Sequence, residues 1–188
     1  MVLLITKLVA YFLTGSVAIL TDALEGIVNV VAGFFGLYSL YLSAKPRDED
    51  HPYGHGKIEF VSAAVEGTMI VIAGIVIFYT AFTHLFDPKP LQELDFGILL
   101  IGTTAILNFV AGRICIRMGT KNNSLALVAS GKHLTSDTYS TIGVLIGLAI
   151  IYFTNILWLD SAVAILFSFV ILYTGYKIVR TSVAGIMD

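Results

Sequence analysis

The sequence predicts an all-α membrane protein with six transmembrane helices and both termini in the cytoplasm. Of its 188 residues, 57% are hydrophobic and 13% are charged, whereas about a quarter of the residues are charged in an ordinary soluble domain. Its apolar segments are long enough to cross a hydrocarbon core about 30 Å thick. Its basic residues are concentrated in the connections on one side, which fixes the orientation.

The apolar segments each approach or exceed the roughly 20 residues that a spanning helix needs, except the short first one. The predicted helices cover residues 1–14, 16–44, 57–85, 95–118, 124–153 and 158–182. Between them lie "TGS", "KPRDEDHPYGHG", "DPKPLQEL", "GTKNN" and "TNILW". These breaks contain Pro, Gly and other turn-forming residues. We therefore expect a single six-helix transmembrane domain over residues 1–188.

Eight of the eleven Lys and Arg residues fall on one predicted side of the membrane: Lys45, Arg47, Lys57, Arg113, Arg117, Lys121, Lys177 and Arg180. The opposite connections contain Lys89 alone, while Lys7 and Lys132 lie within helices. Cytoplasmic connections are the ones enriched in Lys and Arg. Both termini are therefore predicted to be cytoplasmic.

Composition also excludes several classes of function. The formal net charge of -2 and the lack of a Lys/Arg-rich run exclude a nucleic-acid partner; the expected surroundings are the lipid bilayer. The one cysteine, Cys115, excludes an internal disulfide and a cysteine-rich metal site. The apolar start has no A-x-A cleavage pattern, so it predicts a first membrane helix and not a signal peptide.

Two pairs of polar side chains interrupt the apolar helices at one depth. Glu25 and Asn29 lie on the second helix, and His133 and Asp137, in "HLTSD", lie on the fifth. At 1.5 Å per residue both pairs are roughly 13–20 Å into the membrane. Residues four apart share a helix face, so the antiparallel second and fifth helices are predicted to form a site at the midplane.

The chemistry of these four side chains suits a divalent metal ion. Two carboxylates, an imidazole and an amide oxygen provide four donors, and the two negative charges offset a doubly charged ion. Each ionisable group costs at least about 2.5–3.5 kcal/mol in the bilayer centre, so a functional role is the default interpretation. The alternative is structural: His133 bonds Asp137, and Glu25 bonds Asn29.

Two more acids lie near the predicted site. Asp22, one turn outward of Glu25, is interpreted either as an entry-side carboxylate or as a helix cap. Glu66 lies about 14 Å into the third helix and is a candidate for the site or for a proton path. Asp160 opens the sixth helix, where the helix dipole favours an acid.

The connection "DEDHPYGHGKIE" is a second candidate metal site. His51 and His55 are four residues apart, and Asp48 precedes them; such a cluster can bind a metal at a membrane face. The alternative is a solvated charged loop in which Gly54 and Gly56 form turns.

Four stretches together resemble the cation diffusion facilitator family of divalent metal/proton antiporters: "SVAILTDALEGIVNVV", "KPRDEDHPYGHGKIEF", "HLTSD" and "WLDSAVAILFSFVILYTGYKIVRTSVAGIMD". The resemblance implies a six-helix membrane domain, a homodimer, and export of Zn²⁺ or a related ion from the cytoplasm in exchange for protons. It also implies a transport site on the second and fifth helices. Family members usually continue into a soluble metal-binding domain after the sixth helix, which this chain does not contain.

Carried over position by position, the family's second-helix ligands fall on Glu25 and Asn29, and its fifth-helix ligands on His133 and Asp137. The Glu-Asn pair departs from the usual His-Asp or Asp-Asp. Relative to the His-Asp version, the donor set moves toward oxygen, which relaxes discrimination against Mn²⁺ and Fe²⁺. On depth alone, Glu66 is a candidate for the missing anion.

At the cytoplasmic end, Asp48, His51 and His55 align with the family's second, interfacial metal site, for which a modulatory role is implied. Lys57 and Asp188 align with a pair that links the third and sixth helices near the dimer contact. The alternative for Lys57 is an interfacial lysine that extends to the lipid headgroups.

The resulting expectation is a secondary active transporter in a bacterial inner membrane, not an enzyme. It works by alternating access, with Zn²⁺ as the first candidate substrate and Mn²⁺ or Fe²⁺ as alternatives. His133 is the expected proton carrier, since histidine titrates near neutral pH. An intramembrane protease is a poor match, because His-Glu-x-x-His is missing and Ser130 and Ser136 lack a recognisable motif. A channel, or a metal-binding scaffold or sensor without flux, remains the other alternative; the GxxxG of Gly143 and Gly147 would serve packing in either case.

Overall fold

The computed structural model describes residues 1–46, 55–87, 90–122 and 125–187, and the only regular elements in these ranges are α-helices. In chain order the helices are α1 (Val2–Thr14), α2 (Val17–Ser43), α3 (Ile58–Phe86), α4 (Leu94–Lys121), α5 (Leu125–Thr154) and α6 (Trp158–Met187). All six predicted helices are therefore present. The chain is an integral, multi-pass membrane protein.

The helix ends agree with the prediction to within a few residues, with the largest differences at the ends of α4 and α6. α4 continues to Lys121 and α6 to Met187, three and five residues beyond the predicted ends. Both extensions follow turns that carry Lys or Arg. Long basic side chains can bury their stems and extend their charges to the interface, so they do not end a helix.

Five of the helices are long and apolar enough to cross a membrane: α2, α3, α4, α5 from Ser130 onward, and α6. The exception, α1, has 13 residues, which makes it about 20 Å long. It packs beside α2 and α4. α1 is thus shorter than the hydrocarbon core on its own.

Glycines bring two helix pairs into close contact. A Cβ added to Gly175 of α6 would lie 3.0 Å from the carbonyl oxygen of Gly67 on α3. A Cβ added to Gly131 of α5 would lie 2.7 Å from the carbonyl oxygen of Gly112 on α4. Small residues allow such approach in membranes, where packing drives helix association. α3 with α6, and α4 with α5, are accordingly the most extensive helix contacts.

The predicted GxxxG of α5 also lies at a helix contact. A Cβ on Gly143 would lie 2.9 Å from the ring of Phe167, and one on Gly147 would lie 3.4 Å from Val163. Both partners belong to α6. These glycines serve the packing of α5 against α6.

The two ends of α2 have different surroundings. We call the helix ends that meet around 14–17, 86–94 and 154–158 the outer ends, and the opposite ends the inner ends. At the outer end Val17, Ala18 and Ile19 are buried, whereas Phe34 and Leu37, toward the inner end, are exposed. The outer half of α2 is therefore enclosed by its neighbours.

Asp160 closes the outer end of α2. Its carboxylate accepts a hydrogen bond from the Ser16 hydroxyl at 2.6 Å and from the Val17 and Ala18 amides at 2.7 and 3.3 Å. Ser16 is the N-cap, and its hydroxyl oxygen accepts from the amide of Ile19. These bonds satisfy amides that a helix start leaves unpaired. The interpretation of Asp22 as a helix cap is therefore wrong. Asp160, which lies in the first turn of α6, caps the start of α2.

Candidate functional site

A cavity of about 360 Å³ lies between α2 and α5 on one side and α3 and α6 on the other. It is centred on the middle of the helices and reaches similar distances toward both ends, from Phe167 of α6 on the outer side to Ile178 of α6 on the inner side. Its ionisable and amide side chains are Glu25, Asn29, Glu66, His133 and Asp137. The structure thus brings all four predicted transport-site residues, and Glu66, around one space. The remaining wall is largely apolar and comes from α3 and α6.

Within the cavity Asp137 is the residue on which the other side chains converge. The Asn29 side-chain amide donates a hydrogen bond to Asp137 Oδ2 at 3.0 Å and so joins α2 to α5. His133 Nε2 lies 3.9 Å from the same oxygen, which is too long for a hydrogen bond. The predicted structural alternative therefore differs from the observed contacts: Asn29 bonds Asp137 across the helices, and His133 does not bond Asp137.

His133 is the most accessible member of the set. Its side chain is 56% exposed, against 13% for Asp137. Its accessible imidazole leaves His133 able to reach a ligand or to exchange protons. Asp137 is more enclosed, and the Asn29 amide holds its carboxylate in place.

Only some of the candidate donors lie together. Asn29 and His133 are 3.0 and 3.9 Å from Asp137 Oδ2, and Glu25 and Glu66 line the same cavity. Across the described ranges, no three His, Cys, Asp or Glu side chains stand in an arrangement that could hold a metal ion. Metal binding here requires Glu25 or Glu66 to approach His133 and Asp137, which side-chain rotation or a small helix movement would supply.

Asp22 lies outside this cavity and has a partner that the sequence did not predict. Lys7 Nζ of α1 donates to Asp22 Oδ1 at 2.9 Å, and the Thr141 hydroxyl of α5 donates to the same oxygen at 2.9 Å. Depth could have revealed this pair, because Lys7 precedes the turn at Gly15 by eight residues and Asp22 follows it by seven. The same depth rule that paired Glu25 with Asp137 applies to a lysine.

At the cytoplasmic end the structure reaches only part of the predicted sites. Asp48 and His51 lie outside the described residues, so the arrangement of the predicted second metal site with His55 stays a prediction. Asp188 also lies outside them. Lys57 Nζ donates to the carbonyl oxygen of Ile186 at 3.0 Å, which links the start of α3 to the last turn of α6. A lysine at a helix C-terminus suits the carbonyl groups left free there.

Comparison with known proteins gives a match over nearly the whole chain. Residues 1–187 match the cation efflux transmembrane domain. The chain is similar to an uncharacterized transporter of Synechocystis sp., with 38% identity over 182 residues, 97% of this chain and 59% of that protein. It is also similar to the cation-efflux pump FieF of Yersinia pestis, with 31% identity over 192 residues, 100% of this chain and 62% of the pump.

The chain spans about 60% of the length of these curated relatives. The cation-efflux pump FieF of Yersinia pseudotuberculosis matches to the same extent, 31% identical over 192 residues. What the sequence shares with the pumps is therefore their membrane-embedded part.

Proposed function

The chain belongs to the cation diffusion facilitator family, through its cation efflux transmembrane domain, and from this premise we propose that it exports a divalent transition-metal cation from the cytoplasm. The first candidate substrate is Zn²⁺, with Mn²⁺ and Fe²⁺ as alternatives. The proposed setting is a bacterial inner membrane, and the three named relatives come from bacteria.

The observation that carries this proposal is the cavity shared by Glu25, Asn29, His133 and Asp137. Carboxylate, imidazole and amide groups are ligands for divalent first-row metals. Intramembrane acids are costly, and they commonly mark an ion pathway. The two carboxylates offset the charge of one divalent ion, and Glu66 adds a third acid to the same cavity.

Alternating access is supported by the difference between the two halves of the molecule. The start of α2 at the outer end is buried by its neighbours, whereas Phe34 and Leu37 toward its inner end are exposed. A carrier in this arrangement takes up its ion from the cytoplasmic side and needs a second arrangement to release it outside. The two glycine-packed helix pairs on either side of the cavity are suited to move as units.

Exchange for protons follows from the ligand chemistry. Metal ligands bind in their deprotonated forms, so metal and protons compete for the same side chains. Histidine changes charge near neutral pH, where this competition is most effective. The proposed cycle therefore returns protons on His133, Glu25 and Asp137 after the metal has left.

The homodimer implied by the family resemblance is part of the proposal, as is the modulatory metal site of Asp48, His51 and His55. Light scattering of the purified protein in detergent tests the dimer. Zinc titration of the His51→Ala variant tests the second site.

The function is tested in proteoliposomes that carry a pH gradient. We expect His133→Ala and Asp137→Ala to lower the initial rate of Zn²⁺ and Mn²⁺ flux at least 20-fold, because each removes a donor from the cavity. The matched control is Asp95→Asn, in the exposed first turn of α4, which should keep the wild-type rate.

Two results would contradict the proposal. Unchanged flux of both metals in the His133 and Asp137 variants would exclude this cavity as the transport site. Metal binding by the wild-type protein without any flux would favour a scaffold or sensor, and flux that does not saturate would favour a channel.

A further inference from the structure

Lys7, Asp22 and Thr141 form a buried polar cluster that joins three helices. Lys7 and Thr141 both contact Asp22 Oδ1 at 2.9 Å. The residues are 5%, 2% and 0% exposed, respectively. A lysine and an aspartate so far from solvent are costly to keep in a membrane protein. Their position relative to the cavity explains why they are there.

The cluster lies directly outward of the candidate transport site. Asp22 precedes Glu25 by three residues on α2, and Thr141 follows Asp137 by four on α5, so each shares a helix face with a site residue. α2 runs inward from Ser16 and α5 runs outward to Thr154, which puts both cluster residues one turn nearer the outer end. An ion leaving Glu25 and Asp137 outward along α2 and α5 meets this cluster next.

The bonding of Asp22 is incomplete in this arrangement. Its Oδ1 accepts from Lys7 Nζ and faces the Thr141 hydroxyl, whose single hydrogen can instead be donated to the carbonyl oxygen of Asp137, also 2.9 Å from the hydroxyl oxygen. Its Oδ2 is buried without a hydrogen-bond partner among the described residues. A buried acceptor without a donor is unfavourable, and it gains a partner when water or a cation reaches it. Oδ2 is therefore the atom through which Asp22 can bind a water molecule or a cation.

We propose that Lys7, Asp22 and Thr141 form the outer gate of the transport pathway, in which the Lys7 ammonium is a tethered cation that competes with the departing metal for Asp22. The proposal rests on the function proposed above. While Lys7 holds Asp22, its positive charge opposes passage of a second cation. When α1 and Lys7 withdraw, the Asp22 carboxylate is free to receive the ion one turn outward of the site.

A gate and a purely structural ion pair predict different effects on transport when Lys7 and Asp22 are both replaced by apolar residues. Buried ion pairs can often be replaced by packed hydrophobic residues without loss of stability. Lys7→Met with Asp22→Leu should therefore fold and should close the outer pathway permanently. A single Lys7→Met leaves Asp22 charged and unpaired, which favours entry of water from the outer side.

The state of the gate can be measured without any metal. In a Cys115→Ala background, Val144→Cys reports on the outer half, because Val144 is buried one turn outward of Thr141. The probe is a membrane-impermeant maleimide added from the outer side. We expect Lys7→Met to raise the labelling rate at least tenfold, Lys7→Arg to stay within threefold of wild type, and the Lys7→Met/Asp22→Leu variant to remain unlabelled.

The matched control is Thr104→Val, a buried hydroxyl on α4 whose hydrogen-bond partner among the described residues is the carbonyl oxygen of Ile101 in its own helix. It should leave labelling of the Val144→Cys reporter unchanged. Equal labelling in all variants would overturn the gate, as would equal increases in the Thr104 and Lys7 variants.

Measuring Zn²⁺ binding and Zn²⁺ export in the same variant distinguishes a defect in the gate from a defect in the transport site. The Lys7→Met/Asp22→Leu variant should bind Zn²⁺ with a dissociation constant within threefold of wild type and export it at least 20-fold more slowly. Wild-type export by this variant would show that the cluster is only structural. If the His133 and Asp137 variants export normally, the proposed function fails, and the maleimide result still decides whether the cluster closes the outer half.

Discussion

Asn29 gives the candidate site its unusual donor set. Its side-chain amide donates to Asp137 Oδ2. A carboxylate oxygen has two lone pairs, so Oδ2 can accept this hydrogen bond and bind a metal ion at the same time. Asn29 therefore positions Asp137 and contributes no negative charge to the site.

Replacement of Asn29 by an acid tests this reasoning. Asn29→Asp adds a negative charge to the site, so Zn²⁺ and Mn²⁺ should both bind at least tenfold more tightly at pH 7.5. The added carboxylate favours the harder ion, which should move the preference toward Mn²⁺. Competition transport in proteoliposomes measures the change.

The control for this substitution is Asn122→Asp, at the exposed end of α4. It adds the same charge far from the cavity and should leave both affinities unchanged. An Asn29→Asp variant with wild-type affinity and preference would remove Asn29 from the set of selectivity residues.

The sequence predicts which residues lie at the same level of the membrane, because the number of residues from a helix end sets the depth of each one. Counting along each helix assigned Glu25 and Asp137 to one level, and both line the same cavity. The Lys7–Asp22 pair was missed because the cost of burial was applied to acids and not to the lysine. The contact of Asp160 with Ser16 was out of reach, since 144 residues separate the partners and only the packing of α6 beside α2 joins them.

At the scale of the elements, the outer end of α2 is fixed by Asp160 of α6. Three groups at the start of α2 donate to this one buried carboxylate. Hydrogen bonds to a charged group are stronger than neutral ones. Since α2 also carries Glu25 and Asn29, these bonds fix the depth in the membrane at which the two residues of α2 contribute to the site.

Removal of the Asp160 carboxylate should destabilise the protein. Asp160→Ala leaves the Ser16 hydroxyl and the Val17 amide buried without this acceptor, which should cost about 2–4 kcal/mol. Asp160→Asn keeps one acceptor oxygen and should cost less. Unfolding in detergent, followed by circular dichroism, measures both losses.

Asp95→Ala is the matched control, because Asp95 also lies in the first turn of its helix but is exposed. It isolates the helix-dipole contribution, which is expected to be under about 1 kcal/mol. Equal destabilisation by the Asp95 and Asp160 variants would mean that the dipole, and not the bonds to α2, explains Asp160.

Helix existence was predictable because the bilayer fixes helix length. The apolar runs and their Pro and Gly breaks set six helices, and the observed ends differ by no more than five residues. Which helices pack against each other is harder to predict from the sequence. The close approach of Gly67 to Gly175 depends on which faces meet, and apolar faces in a membrane carry no strong signal for that choice.

At the scale of the whole molecule, the central cavity and the buried outer end of α2 are the arrangement from which the proposed transport cycle starts. Among the described side chains, no three His, Cys, Asp or Glu residues stand in an arrangement that could hold a metal ion. In the proposed function, an ion bound by donors of α2 and α5 holds these helices together. Metal binding should therefore stabilise the whole helix assembly, and not only the side chains that touch the ion.

This coupling predicts a metal-dependent stability. A ligand that binds only the folded state, at 100 times its dissociation constant, raises the free energy of unfolding by about 2.7 kcal/mol. We expect Zn²⁺ to raise the unfolding temperature of the wild-type protein in detergent and to have no such effect on Asp137→Ala. Acidification from pH 7.5 to 5.5 should reduce the stabilisation, because ligands bind metal only when deprotonated. Asp95→Asn should respond as wild type does, and a full zinc response in the Asp137 variant would place the stabilising ion elsewhere.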